Sequence, residues 1–76
     1  MGATLGEIWE IVIQEDSTLI GTGLSHLTLP SESKICALVR KGEILFELDE
    51  LKIEADDKLI FFCAPSAIRK AEKIFA

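Results

Sequence analysis

Residues 58–64 constrain the fold of this chain more than any other segment. Lys58 is followed by Leu59, Ile60, Phe61, Phe62 and Cys63, a run of strand length that is apolar on whichever face is counted. A strand of this kind is covered on both sides, so it belongs in the middle of a sheet. The preceding segments supply its partners. Glu7–Gln14 alternates, with Trp9, Ile11 and Ile13 on one face and Ile8, Glu10, Val12 and Gln14 on the other, which is the period of a strand. Trp9 is expected to anchor the core. From Lys34 onward, Ile35, Ala37 and Val39 face one way and Cys36, Leu38 and Arg40 the other. Lys41 and Gly42 then break the pattern before Ile44, Phe46 and Leu48 alternate with Leu45 and Glu47. This predicts a β-hairpin with a two-residue turn. A shorter strand at Leu51–Ile53 and a turn at Asp56 and Asp57 lead back to the central run.

Helical signals occur twice. Asp16, Ser17 and Thr18 resemble a helix entry, and Ile20, Leu24 and Leu27 follow at helical spacing, so a short helix is expected there. Gly21 and Gly23 weaken it, and Pro30 ends it. At the other end, Pro65 suits a first turn. Ala67, Ile68, Ala71, Ile74 and Phe75 then share one stripe, opposite Arg69, Lys70, Glu72 and Lys73. That is an amphipathic helix docked on the sheet. The expected fold class is α+β: a small, mostly antiparallel sheet of four to five strands with a short first helix and a C-terminal amphipathic helix. Residues 1–6 read as a lead-in or linker stub, and 7–76 as one domain.

A single domain of 76 residues buries only about 60 % of its unfolded surface. Hydrophobic residues nevertheless make up 49 % of the chain before its 5 glycines are counted, above the usual share. That surplus implies an apolar surface meant for a partner. Charge narrows the choice of partner. The 8 Lys and Arg are scattered among 13 Asp and Glu, for a net charge of −5, which argues against nucleic acid and against anionic lipid. No apolar run approaches the roughly 20 residues of a membrane span, and the N-terminus lacks the pattern of a signal peptide. A cytoplasmic location is expected.

Catalytic constellations are missing. His26 is the only histidine, and in a helix-like segment it reads as structural or exposed. Cys36 and Cys63 lie in apolar strand-like runs without metal-type spacing, so both are expected buried, reduced, unbridged and metal-free. The acidic pairs Asp49-Glu50 and Asp56-Asp57 lack the alternating oxygen ligands of a calcium loop. There is no phosphate-cradling glycine loop and no nucleophile elbow. Neither an enzyme nor a cofactor is expected.

The order of the segments goes further. Ser17-Thr18-Leu19-Ile20-Gly21, Leu27-Thr28-Leu29-Pro30, Ile35 through Glu43, and Leu51 through Ile60 together resemble the C-terminal domain of potassium-conductance regulators, the TrkA C-terminal domain. The resemblance runs from Glu7 to the final helix. It implies a homodimeric, non-catalytic sensor attached to or associated with a nucleotide-binding regulatory domain and a potassium channel or transporter. In some members the cleft between subunits binds a cyclic dinucleotide or another small effector. Carried onto this chain, that cleft would be lined by Lys34, Ile35, Cys36 and Arg40. The competing role for Arg40 is a strand end in solvent, or an ion pair with Glu43 across the hairpin. A plain assembly module that binds nothing is the competing reading of the domain. Two departures from the family pattern stand out: Leu48-Asp49-Glu50-Leu51 replaces a stretch that often carries prolines, and Asp56 stands where a glycine is usual. The acidic Asp49-Glu50 pair opposes an anionic ligand.

Overall fold

A computed structural model describes residues 5–75. Four antiparallel strands form one sheet: β1 (Glu7–Val12), β2 (Ser33–Arg40), β3 (Glu43–Leu45) and β4 (Lys58–Cys63), in the spatial order β1-β4-β2-β3. The apolar run at 58–63 is therefore an interior strand, as its composition requires. A 3₁₀ turn at Pro65–Ala67 leads into helix α1 (Ile68–Phe75), and Pro65 sits where a missing N–H costs nothing. Residues 1–4 of the expected lead-in lie outside the described residues.

Register sorts the side chains into two layers. Trp9 lies beside Phe61 and Ile11 beside Leu59, while Ile35 lies beside Phe61 and Leu38 beside Leu59. These residues face the core, where Phe61, Leu38, Leu59 and Cys63 are buried together with Ala67 and with Ala71 of α1. Phe61 is its centre: Trp9 packs at 5.8 Å between ring centroids and Phe75 meets it edge-on at 5.1 Å. Trp9 itself is only half-buried, its indole N–H donating to Glu7 Oε1 at 2.8 Å. It flanks the core and does not anchor it.

One irregularity in β2 overturns part of the sequence pattern. Ile35 pairs with Phe61, but the next pair in the ladder is Ala37 with Ile60, so Cys36 is an extra residue in a β-bulge. The bulge shifts the alternation by one. Ile35, Leu38 and Arg40 share the core side, and Ala37 and Val39 face outward. Cys36, expected to be buried, is exposed; Cys63 is buried. Burial pushes the Cys63 thiol pKa up, and the nearby Glu7 charge adds to this.

The connections also differ from expectation. The short helix around Ile20–Leu27 contracts to a 3₁₀ turn at Leu24–His26. Gly21, at φ +89°, and the extended Gly23 set up a different use of the backbone: Gly21 N and Leu24 N donate to Ile53 O and Leu51 O, and Ile53 N donates to Thr22 O. The strand expected at Leu51–Ile53 is thus an isolated bridge, Gly23 with Lys52. The strand expected over Glu43–Leu48 stops at Leu45. The hairpin turn itself forms as predicted, with Lys41 and Gly42 both at positive φ, 53° and 79°, the two-residue turn whose twist matches its strands.

Candidate functional site

The four residues assigned to a ligand cleft divide between the two ends of β2. Lys34, Ile35 and Cys36 lie at its start, beside a groove of about 410 Å³ whose other walls include Leu24, Ser25, Phe46, Leu48 and Asp49. The local sequence explains the opening. β3 pairs only with Leu38–Arg40, so the chain leaves the sheet at Leu45 and uncovers the first half of β2. The bulge then turns the Cys36 side chain into that space. The groove holds one cation, Lys34, one anion, Asp49, a thiol, and the Phe46 ring, which is 72 % exposed. Ser33 is less available, because its hydroxyl donates to Pro30 O at 2.6 Å. Groups of this kind suit a compact ligand with one anionic group near Lys34 and a hydrogen-bond donor near Asp49.

Arg40 is elsewhere. At the far end of β2 its Nε and Nη2 donate to the two carboxylate oxygens of Asp57, both at 2.8 Å, and Nη2 also donates to Lys52 O at 2.8 Å. Glu54 adds a contact at 3.3 Å to Nη1. Asp57 is 1 % exposed, and it also accepts from the Glu54 backbone N–H at 2.8 Å. Glu43 lies across the hairpin from Arg40 in the ladder, yet the ion pair expected with it is made with Asp57. The fork geometry of guanidinium and carboxylate favours this two-point pairing. Burial alone pushes the Asp57 carboxyl up, but the bonds from Arg40 and from the Glu54 N–H outweigh it, so the group titrates below its ordinary value. The hydrogen bond to Asp57 in turn raises Arg40, against the opposing effect of burial.

The turn that presents Asp57 is tightly specified. Asp56 sits at φ +70°, a left-handed conformation that favours glycine and tolerates Asp. Asp56 N donates to Ile13 O and Ile13 N donates to Asp57 O, both at 2.8 Å, tying the turn to the end of β1. The sequence placed Asp56 and Asp57 in the turn before the central strand, but nothing in the spacing pointed to Arg40, 17 residues earlier, as the partner of Asp57. Among the described residues no group of three or more His, Cys, Asp and Glu converges as a metal site, and no helix is long and apolar enough to cross a membrane.

Comparison with known proteins settles the family. The TrkA-C domain profile matches residues 8–76. The chain belongs to the TrkA-C domain family. This TrkA-C domain is 36 % identical over 64 residues to the Trk system potassium uptake protein TrkA homolog of Archaeoglobus fulgidus, covering 84 % of the chain and 15 % of that protein. It is 29 % identical over 69 residues to the TrkA homolog 2 of Methanosarcina mazei, covering 91 % of the chain and again 15 % of the relative. The domain therefore spans about one-seventh of the curated relatives it matches. A solved structure described as an RCK domain with cda superposes with a TM-score of 0.72 at 13 % identity, over 91 % of this chain and 97 % of that one. That likeness is one of fold: an antiparallel sheet of four strands with a C-terminal helix.

Proposed function

We propose that this TrkA-C domain is the non-catalytic sensor of a potassium channel or cation transporter, working at the cytoplasmic side as a homodimer that binds a small effector at the subunit cleft. The relatives named for potassium uptake support the setting. An attached or associated nucleotide-binding domain is part of this reading, since the relatives extend far beyond the matched region. The observation that carries the effector is the groove at the open half of β2, where Lys34, Ile35 and Cys36 meet Ser25, Phe46 and Asp49. Arg40 is assigned a different task in the proposal: it holds the turn carrying Asp57. Lys34 is the cation available to the ligand.

An effector that binds one arrangement of the dimer more tightly than another shifts the balance between them and so signals to the attached transporter. Calorimetry against cyclic dinucleotides, nucleotides and divalent cations tests the reading. Binding tighter than about millimolar that is weakened by Lys34→Ala, with unchanged melting, is the expected result. If no member of that panel binds, the domain is an assembly module that dimerises its host and senses nothing.

A further inference from the structure

Helix α1 carries more positive charge than its own stability calls for. Three of the chain's 8 basic residues, Arg69, Lys70 and Lys73, fall on it. Arg69 and Lys70 occupy the first turn, which contains no acidic residue and where the peptide dipoles oppose positive charge. Lys73 follows Arg69 by four residues and Lys70 by three, the spacings at which like charges repel on a helix surface. The helix's one acid, Glu72, is a neighbour of Arg69 by spacing but faces neither Lys70 nor Lys73. Among the described residues the ion pairs are those of Arg40 and Lys58, so neither lysine has a carboxylate of this chain to hold. A local rule broken without a local gain points to a task outside the helix.

The two lysines rim a recess between α1 and the loop that precedes β2. Thr28, Leu29 and Pro30 form one wall, Ile74 and the stems of Lys70 and Lys73 the other, around about 280 Å³. The walls are almost wholly aliphatic, so the ammonium groups stand at the mouth, as lysine heads do when their stems cover apolar surface. The loop wall is held in place: the Ser33 hydroxyl donates to Pro30 O at 2.6 Å, and Ala64 N donates to Glu32 O at 2.9 Å. Sites for small molecules are usually roomier, at about 300–1,000 Å³, and hold polar groups that orient the ligand. This recess is smaller and has no such groups inside. It suits one apolar side chain, with anionic groups on either side of it reaching the lysines.

We infer that the recess seats an acidic segment of a protein partner, one apolar side chain entering between Pro30 and Ile74 while flanking carboxylates meet Lys70 and Lys73. Charge complementarity selects this occupant. The chain has a net charge of −5, so an acidic segment is repelled by most of its surface and drawn to the place where cations concentrate. Anionic lipid asks for the opposite relief: a helix face that enters a bilayer presents protruding apolar side chains, whereas here the apolar groups are recessed and the cations stand out. The recess adjoins the β2 groove through Leu29, which lines both, but the two share no charged residue. They can therefore be tested apart.

The full chain is panned against a phage-displayed library of random dodecapeptides, with the Lys70→Glu, Lys73→Glu double variant as counter-selection. Enriched peptides should carry a Leu, Ile, Phe or Met flanked by Asp or Glu. The consensus peptide, titrated into isotope-labelled chain, should shift the amide resonances of Thr28, Leu29, Lys70, Lys73 and Ile74. Its dissociation constant should rise by at least roughly tenfold in the double variant and comparably in Thr28→Phe, which fills the recess and leaves the charges alone. All three positions are exposed, so the fold is expected to survive, and circular dichroism checks it. Lys34→Ala should change nothing. No enrichment over the naive library, enriched peptides without acids, or shifts elsewhere overturn the site. A consensus peptide that binds equally well after its apolar residue is replaced by serine overturns the seating in the recess. Cosedimentation with phosphatidylglycerol vesicles that the double variant abolishes, in the absence of peptide enrichment, overturns the protein partner in favour of lipid.

Discussion

Replacing Arg40 with methionine keeps most of the side-chain volume and removes the guanidinium that Asp57 depends on. In the wild type Asp57 accepts three hydrogen bonds, two from Arg40 and one from the Glu54 N–H, at 1 % exposure. The variant leaves a buried carboxylate with the backbone N–H alone. Breaking a buried pair by removing one partner costs about 3–5 kcal/mol; the Arg40 side chain is 20 % exposed, which places the cost toward the lower end. A domain of 76 residues has roughly 4–11 kcal/mol in all, so a loss near 3 kcal/mol lowers the melting temperature by about 12–24 °C. The pH dependence identifies the cause. In the wild type Asp57 titrates below its ordinary value, so its stabilisation is complete above about pH 4 and is lost as pH falls through the lowered value. Without Arg40, burial dominates and the carboxyl titrates above its ordinary value. The variant's penalty is then full at neutral pH and shrinks as acid protonates Asp57. Urea melts of both proteins from neutral pH downward should therefore converge. A difference below about 1 kcal/mol at neutral pH, the size of an exposed pair, or one that stays constant with pH, would refute the buried-clasp argument.

Three further outcomes are expected. Asp56→Gly should stabilise the domain by up to about 1 kcal/mol in the same melts, because the backbone there is left-handed at φ +70° and glycine adopts it without a Cβ penalty; Asp56→Ala should not. Gly6→Ala should cost about 1–3 kcal/mol, since a Cβ would lie 2.6 Å from the Phe62 ring and 2.7 Å from the Cys63 carbonyl oxygen. Thiol labelling of the native protein should modify Cys36 rapidly and Cys63 only on unfolding, so a count of two fast thiols contradicts the burial described for Cys63.

Much of the sheet was legible because its information is local. The apolar run at Leu59–Cys63 identified the central strand, and Lys41-Gly42 fixed the hairpin turn through its own backbone geometry. The departures come where tertiary pairing decides. Ile20, Leu24 and Leu27 have helical spacing, yet Gly21 and Thr22 bond to Ile53 instead, and no periodicity within 20–27 announces a partner some thirty residues on. The misassigned Cys36 has the same kind of origin: alternation is read by counting residues, and a bulge adds one to the count without adding a step to the ladder. At the site, the grouping of Lys34, Ile35 and Cys36 follows from their being neighbours in the chain. Asp57 was found for Arg40 only when folding brought the ends of two strands together.

The extra residue at Cys36 also bears on how relatives are aligned with this chain. Deleting Cys36 would let β2 run as a regular strand with no change of sidedness, since Ile35 would still pair with Phe61 and face the core while Lys34 stayed outside. The bulge therefore acts as a phase marker. A relative one residue shorter at this point keeps the same ladder and the same sidedness on both sides, provided that the gap is set at Cys36. An ungapped alignment with such a relative would shift every residue before the bulge by one and match the solvent-facing Lys34 to a side chain that lies inside.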